Sequence, residues 1–176
     1  MPTDRWSYPW SSDALVPVSL LYAVLHAFVF VGLLGFARTG GAGGGRGGRT
    51  GIGVAMVGTA LLLAAELASI PVADQRVDDT GAGLVGALFG VGTLLSAVGL
   101  LAAGVATAGA ARWDGWRRFA PLATGIALMV LLVLVMTPAL AAGVALYGIG
   151  LTAIGVAVST QPAPAPVRSS GLAIQV

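Results

Sequence analysis

The stretch Thr59–Gln75, TALLLAAELASIPVADQ, decides what kind of fold this chain can adopt. Up to Ile70 it is apolar apart from two hydroxyl residues and one carboxylic acid, Glu66. An apolar run of this length without alternation predicts a helix rather than a strand. A charged residue inside such a helix is costly in lipid and usually faces the interior of a helix bundle. The stretch therefore predicts a membrane-spanning helix with a polar site at Glu66.

The composition of the whole chain agrees with a membrane location. Hydrophobic residues make up 57% of the 176 residues and charged residues only 9%, whereas soluble domains carry about 25% charged residues. The mean hydropathy is +0.93. The absence of cysteine excludes disulfides, thiolate metal sites and a cysteine nucleophile. We therefore expect the solvent of this chain to be partly lipid.

Five segments reach the roughly 20 apolar residues that a helix needs to cross a bilayer. The sequence thus predicts an all-α integral membrane bundle, a single unit over residues 1–160, with spans near 14–37, 51–72, 83–108, 119–136 and 139–158. Only Thr137-Pro138 divides the last two spans, so four spans plus a re-entrant segment is the alternative. The Gly-rich stretch Thr39–Gly51 is predicted to be a flexible linker. The Pro-rich end, 161–176, is predicted to be a disordered cytoplasmic tail.

The distribution of arginine predicts the orientation of the chain. All nine cationic residues are Arg, and seven fall on one side of the predicted bundle: Arg38, Arg46, Arg49, Arg112, Arg117, Arg118 and Arg168. By the positive-inside rule this side is cytoplasmic, which places the N-terminus outside and the C-terminus inside. The absence of Lys and the abundance of Ala, Gly and Val suggest a bacterial plasma membrane. The expected partner is the lipid bilayer, and no nucleic acid is expected.

Two further sets of residues are typical of membrane helices. Aromatic rings and arginines that favour the headgroup level predict the interface anchors Trp6, Trp10, Trp113, Trp116, Arg117 and Arg118. Small residues at three- and four-residue spacing let helices approach closely and predict the packing positions Gly86, Gly90, Gly92, Ser96 and Gly148. Packing inside one bundle is the main expectation; a homodimer or contact with another membrane protein is the alternative.

Glu66 has predicted partners on the first span. Counted inward from the same membrane face at about 1.5 Å per residue, Tyr22 and Glu66 lie at similar depths. Ser19, Tyr22 and His26 share one face of the first span, and Glu66 and Ser69 share one face of the second. The sequence therefore predicts an intramembrane polar cluster of these five residues, with Ser19 near Ser69 and Tyr22 near Glu66.

Three roles fit this cluster. It is a hydrogen-bonded rivet between two helices with Glu66 protonated; or a pocket in which Glu66 binds a cation or exchanges protons through His26; or Glu66 simply reaches the headgroup region. No catalytic residue, cofactor or metal site is predicted. A zinc site lacks a second His and any Cys. Ser19 lies roughly 10 Å along the helix from His26, too far for a nucleophile and its base.

The segment Arg112–Gly125, RWDGWRRFAPLATG, resembles a junction in uncharacterised small multi-spanning integral membrane proteins of actinobacteria. In those proteins an Arg- and Trp-rich cytoplasmic loop runs into a Pro near the start of a span. The resemblance covers 14 residues and implies an integral membrane location without an activity. The leading functional prediction is a non-catalytic bundle with a structural, assembly or partner-binding role. The alternative is a small proton- or cation-coupled transporter that uses Glu66, Tyr22 and His26.

Overall fold

The computed structural model describes residues 3–135 and 137–160, so the predicted tail lies outside the described residues. The helices are α1 (Ser12–Thr39), α2 (Arg46–Ser69), α3 (Thr80–Ala110), a 3-10 helix (Gly115–Phe119), α4 (Ala120–Leu134) and α5 (Leu140–Ser159). Five helices are long and apolar enough to cross a membrane, with α4 counted together with the 3-10 helix. The predicted all-α fold with five spans is therefore confirmed, and the fourth and fifth spans are separate helices.

Local sequence signals account for the helix ends. The Ser11 side chain accepts a hydrogen bond from the Ala14 amide at 3.1 Å and caps α1, which begins two residues before the predicted start. Gly40 ends α1 with a φ of 63°, a left-handed conformation that glycine adopts without penalty. Pro71 has no amide hydrogen, and α2 ends at Ser69 rather than at the predicted residue 72. Pro121 lies in the first turn of α4, where its missing donor costs nothing.

The predicted flexible linker needs correction. Residues 46–51 belong to α2, so the connection between α1 and α2 is only residues 40–45. This connection is packed against the loop that follows α3, because Arg112 donates to the Gly40 carbonyl at 3.3 Å. A Cβ built on Gly41 would come within 2.6 Å of ring atoms of Trp113. Part of the glycine content therefore serves close approach of two loops rather than flexibility.

The five helices form a closed ring. Each helix packs against the next along the chain, and α1 also contacts α5. All five helices contribute side chains to the centre of the ring, where Leu33, Ala55, Ala97, Leu100, Leu128 and Ile154 are buried. A second buried cluster, which includes Phe36, Ile52 and Trp113, closes the end that carries the α1–α2 connection. The ring is therefore filled in one half.

The most extensive helix contact among the described residues joins α2 and α3, and glycine makes the approach possible. A Cβ on Gly58 of α2 would lie 2.6 Å from the Gly92 carbonyl oxygen of α3. A Cβ on Gly99 of α3 would lie 2.6 Å from the Gly51 carbonyl oxygen of α2. Real side chains do not tolerate such distances, so the two backbones touch only because these positions carry no side chain.

The opposite end of the ring is covered by an N-terminal strap, residues 3–11. The Trp6 amide donates to the Gln75 carbonyl at 2.9 Å, and the Val77 amide donates to the Asp4 carbonyl at 2.9 Å. Two ion pairs hold the same contact, namely Arg5–Asp74 at 2.8 Å and Arg76–Asp4 at 3.0 Å, and Arg76 also pairs with Asp78 of its own loop at 3.1 Å. The hydrogen bond from Arg76 lowers the pKa of the Asp78 carboxyl below its ordinary value of 3.8. Backbone hydrogen bonds and ion pairs thus join the strap to the α2–α3 loop.

Candidate functional site

A cavity of about 290 Å³ lies inside the ring, on the side of the N-terminal strap. All five helices line it, which places it at the centre of the bundle. Its walls include Tyr22, His26, Glu66, Phe89, Thr93, Leu128, Leu131 and Tyr147. Most of these groups are hydrocarbon or aromatic. A small, mainly apolar cavity with a few convergent polar groups is the usual form of a small-molecule site.

Glu66 is the acidic group of this cavity. The residue is only 9% exposed, and its carboxylate points toward His26, with 3.9 Å between Oε1 and the histidine Nδ1. This distance is too long for a hydrogen bond. Within the part of the chain that the structure describes, no donor forms a hydrogen bond to the Glu66 carboxylate. The carboxylate is therefore close to His26 but is not hydrogen-bonded to it.

The proton of His26 is placed by its own helix. Nδ1 lies 2.9 Å from the Tyr22 carbonyl oxygen. A carbonyl oxygen can only accept, so Nδ1 carries a hydrogen. In the neutral form of the ring, Nε2 is then the unprotonated nitrogen. A neutral His26 leaves the Glu66 charge without a counter-charge. A doubly protonated His26 would supply that charge across the 3.9 Å gap.

Two hydroxyl groups in and near the cavity, those of Thr93 and Ser69, are bonded within their own helices. Thr93 donates to the Phe89 carbonyl at 2.7 Å, and Ser69 donates to the Ala65 carbonyl at 2.9 Å. Hydroxyl oxygens keep acceptor capacity after such a bond but have no donor left for Glu66. The hydroxyl groups of Thr93 and Ser69 therefore do not neutralise the carboxylate.

The cavity adjoins a larger groove on the lipid side of the ring. This groove, of about 680 Å³, runs between α1 and α5 and is lined mainly by apolar residues and glycines. The cavity and the groove share the wall residues Leu25, Val29, Gly148 and Leu151. These four residues therefore lie between the Glu66 cavity and the membrane-facing groove. We call this place the α1–α5 seam.

The predicted polar cluster is brought together in part. Tyr22, His26 and Glu66 line one cavity. Ser19 and Ser69 are both buried, but among the described residues no hydrogen bond joins them, and neither lines the cavity. The proximity of Ser19 to Ser69 stays a prediction, and the Ser69 hydroxyl donates within α2 to the Ala65 carbonyl.

Only some of the predicted packing residues lie at a contact between helices. Gly92 and Ser96 lie at the close contact with α2. A Cβ built on Gly86 would lie 3.8 Å from the ring of Trp6, so Gly86 faces the strap rather than a helix. Gly90 and Gly148 have nothing within 4 Å of a Cβ built on them. These two glycines face open surface, which differs from the packing role expected for them.

The predicted interface anchors differ in their exposure. Trp10 and Trp116 are about half exposed, and Trp6 stacks on Phe89 with ring centroids 6.3 Å apart. Arg118 lies over the Phe119 ring at 4.5 Å, and the Nε atoms of Arg117 and Arg118 are buried without a partner among the described residues.

Trp113 is only 5% exposed and packs on Phe36, with 5.2 Å between the ring centroids. Trp113 thus fixes a loop to the core and is not a headgroup anchor.

Sequence reasoning missed the residues that α3 and α5 bring to the site. Phe89, Thr93 and Tyr147 line the cavity, but they lie on helices for which the sequence predicts only packing through small residues. Tyr147, a polar aromatic residue inside a span, was a signal that could have been used. The closed ring, which brings α5 back to α1, is not visible in the sequence.

The donor set of the cavity is poor in metal ligands. Within residues 3–135 and 137–160 no group of three or more His, Cys, Asp or Glu side chains could hold a metal ion. Glu66 and His26 are two such groups, and the remaining walls are largely hydrocarbon. Hard cations prefer six or more oxygen ligands. The site therefore fits a proton or an organic cation better than a metal ion.

The fold and the cavity together define the class of this chain: a multi-pass helical membrane protein with an acidic residue in a central cavity. Comparisons of the chain with protein-family models, with curated proteins and with solved structures gave no match.

Proposed function

We propose that this protein is a small proton- or cation-coupled membrane protein, a transporter in its simplest form, that works through Glu66, His26 and Tyr22. One observation carries this proposal: the Glu66 carboxylate lies beside a cavity without a hydrogen-bond donor from the described chain. An ionisable group inside a membrane span is costly and is a functional-site candidate for that reason. His26, 3.9 Å away, is the neighbouring group that can exchange or oppose its charge.

The geometry supports this proposal better than a purely structural bundle. A rivet between α1 and α2 requires that Glu66 be hydrogen-bonded internally, because a buried carboxyl without a partner destabilises the fold. The nearest nitrogen of α1 is instead bonded to the Tyr22 carbonyl. The Glu66 carboxylate is therefore placed so that it can bind a proton or a ligand.

We further propose that the N-terminal strap faces outward and that the protein resides in a bacterial plasma membrane. The cationic residues support this orientation. The end opposite the strap carries Arg38, Arg46, Arg49, Arg112, Arg117 and Arg118, whereas Arg5 and Arg76 on the strap side are paired with aspartates. Excess arginine marks the cytoplasmic side of membrane proteins. The Glu66 cavity then lies in the outer half of the membrane.

Difference infrared spectroscopy of the protein in lipid tests the coupling directly. The carboxyl band of the wild type is recorded over a pH series and compared with that of Glu66→Gln, which removes the acid and preserves the shape. We expect a band that appears and disappears reversibly with pH and is absent from the variant. A Glu66 band that stays constant over the series would mean a sealed carboxyl, and the coupling proposal would be wrong.

A further inference from the structure

We infer that the ligand of the Glu66 cavity is an organic monocation with an apolar body, and that it enters from the lipid through the α1–α5 seam. This inference rests on the proposed function and names the class of ligand. It has two parts, the chemistry of the cavity and the position of its opening, and each part can be tested separately.

The chemistry of the cavity combines one anion with aromatic walls. Glu66 supplies a negative charge that no described side chain neutralises while His26 is neutral. Tyr22, Phe89 and Tyr147 supply ring surfaces, which attract an organic cation through their faces. A substituted ammonium carries its own hydrocarbon shell and needs few ligand oxygens, so it matches walls that offer few. The volume of about 290 Å³ is at the small end for ligand pockets.

The groups that set the charge of the cavity are few. His26 and Tyr22 of α1 and Tyr147 of α5 line the cavity together with Glu66, and His26 lies 3.9 Å from its carboxylate. The described lining residues on α3 and α4 carry no charged side chain. A proton on Glu66 would remove the anion, and a second proton on His26 would add a competing cation. Binding of an organic cation is therefore expected to weaken as the pH falls.

The opening of the cavity follows from its walls. The far half of the ring is filled by the buried cluster that includes Leu100 and Leu128. On the strap side, Trp6 stacks on Phe89, which is one of the wall residues of the cavity. The seam between α1 and α5 remains, where Gly148 lies between cavity and groove with no neighbour within 4 Å of a built Cβ. A ligand with an apolar body, dissolved in the bilayer, reaches Glu66 by this lateral route.

The ligand class is tested with two probes of the same shape. Benzyltrimethylammonium is a monocation, and neopentylbenzene is its neutral counterpart with carbon in place of nitrogen. Equilibrium binding of each is measured with the full chain in phosphatidylcholine nanodiscs. We expect saturable binding of the cation only, weakened at least about tenfold in Glu66→Gln, because a charged contact is lost. Asp114→Asn, which removes an exposed carboxylate at the opposite end, is the matched control and should bind as the wild type does.

Three results would overturn the ligand class. They are equal binding of the two probes, binding that Glu66→Gln leaves unchanged, and no binding of the cation to a wild type whose Glu66 titrates in the infrared. The last result would leave the proton-coupling proposal intact. A constant infrared band would instead overturn the proposed function itself.

The lateral route is tested with a pair of glycines that both face open space. Gly148→Leu fills the seam without touching the α2–α3 contact, and Gly90→Leu places the same side chain on a surface that lines neither cavity nor groove. We expect the association rate of benzyltrimethylammonium to fall at least about tenfold in Gly148→Leu and to stay unchanged in Gly90→Leu. Equal rates in Gly148→Leu and the wild type would show that the ligand enters elsewhere.

Discussion

Trp113 and Trp116 lie three residues apart, and the protein places them in opposite surroundings. The Trp113 ring is buried between the two loops at one end of the ring, against Phe36 and above Gly41. Trp116 is about half exposed. Both residues fit the sequence pattern of headgroup anchors, because tryptophan is common at membrane interfaces. Only the fold shows that one of them is part of the core.

Replacement of each tryptophan by alanine should separate these roles. Trp113→Ala removes a buried ring from a packed cluster and is expected to lower the free energy of unfolding by about 3–5 kcal/mol. Trp116→Ala removes an exposed ring and should change it by no more than about 0.5 kcal/mol. Reversible unfolding in mixed detergent micelles measures both values. Similar losses for the two variants would contradict the burial of Trp113.

Glu66 shows how far single residues can be predicted from sequence. Helix periodicity and depth in the membrane predict its place near His26 and Tyr22. Each of these two quantities can be counted along a single helix, without knowledge of how the helices pack. The bond from His26 to the Tyr22 carbonyl did not follow, because it depends on a side-chain rotamer. The lining by Phe89 and Tyr147 did not follow either, because it depends on the packing of distant helices.

At the level of the helices, the α2–α3 pair makes the most extensive contact among the described residues. Helices in lipid gain little from apolar burial, so association depends on close packing of small residues. Gly58 and Gly99 provide that packing here, because a Cβ at either position would collide with the backbone of the partner helix. The spacing of small residues predicted close packing in α3, but it did not distinguish the α2 contact from open surface at Gly90.

A pair of substitutions on α2 tests this contact. Gly58→Leu should force α2 and α3 apart and destabilise the protein by at least about 1–3 kcal/mol, the usual cost of overpacking. Gly53→Leu, on the same helix where nothing lies within 4 Å of a built Cβ, is the control and should be nearly neutral. Unfolding in micelles and the retained helical circular dichroism signal report the outcome. A Gly58→Leu variant as stable as the control would contradict the close approach.

At the scale of the whole molecule, the ring explains why one half is a core and the other a site. The end with the α1–α2 connection is filled by two buried clusters, while the strap end encloses the Glu66 cavity. The five spans were predictable because length and apolar composition identify membrane helices one by one. Their circular order was not predictable, since contact between α1 and α5 joins segments more than 100 residues apart in sequence, about two thirds of the chain.

The orientation of the molecule can be measured cleanly because the chain has no cysteine. Single cysteines are placed at Thr3 on the strap, at Ala139 before α5 and at Gly44 in the α1–α2 connection. We expect a membrane-impermeant maleimide to label the first two in intact cells and the third only after permeabilisation. Labelling of Gly44→Cys in intact cells would reverse the orientation. Failure of Ala139→Cys to share the side of Thr3→Cys would contradict five spans.

The proposed function requires that Glu66 face an accessible cavity within the membrane rather than a sealed hydrogen bond. Dicyclohexylcarbodiimide, an apolar reagent that dissolves in lipid and reacts with protonated carboxyl groups, tests it most directly. The folded protein in lipid is treated with the reagent, and its peptides are mapped by mass spectrometry. We predict a stable adduct on Glu66 that is absent from Glu66→Gln. A folded protein that carries no adduct on Glu66 would show that the carboxyl is not accessible from the lipid.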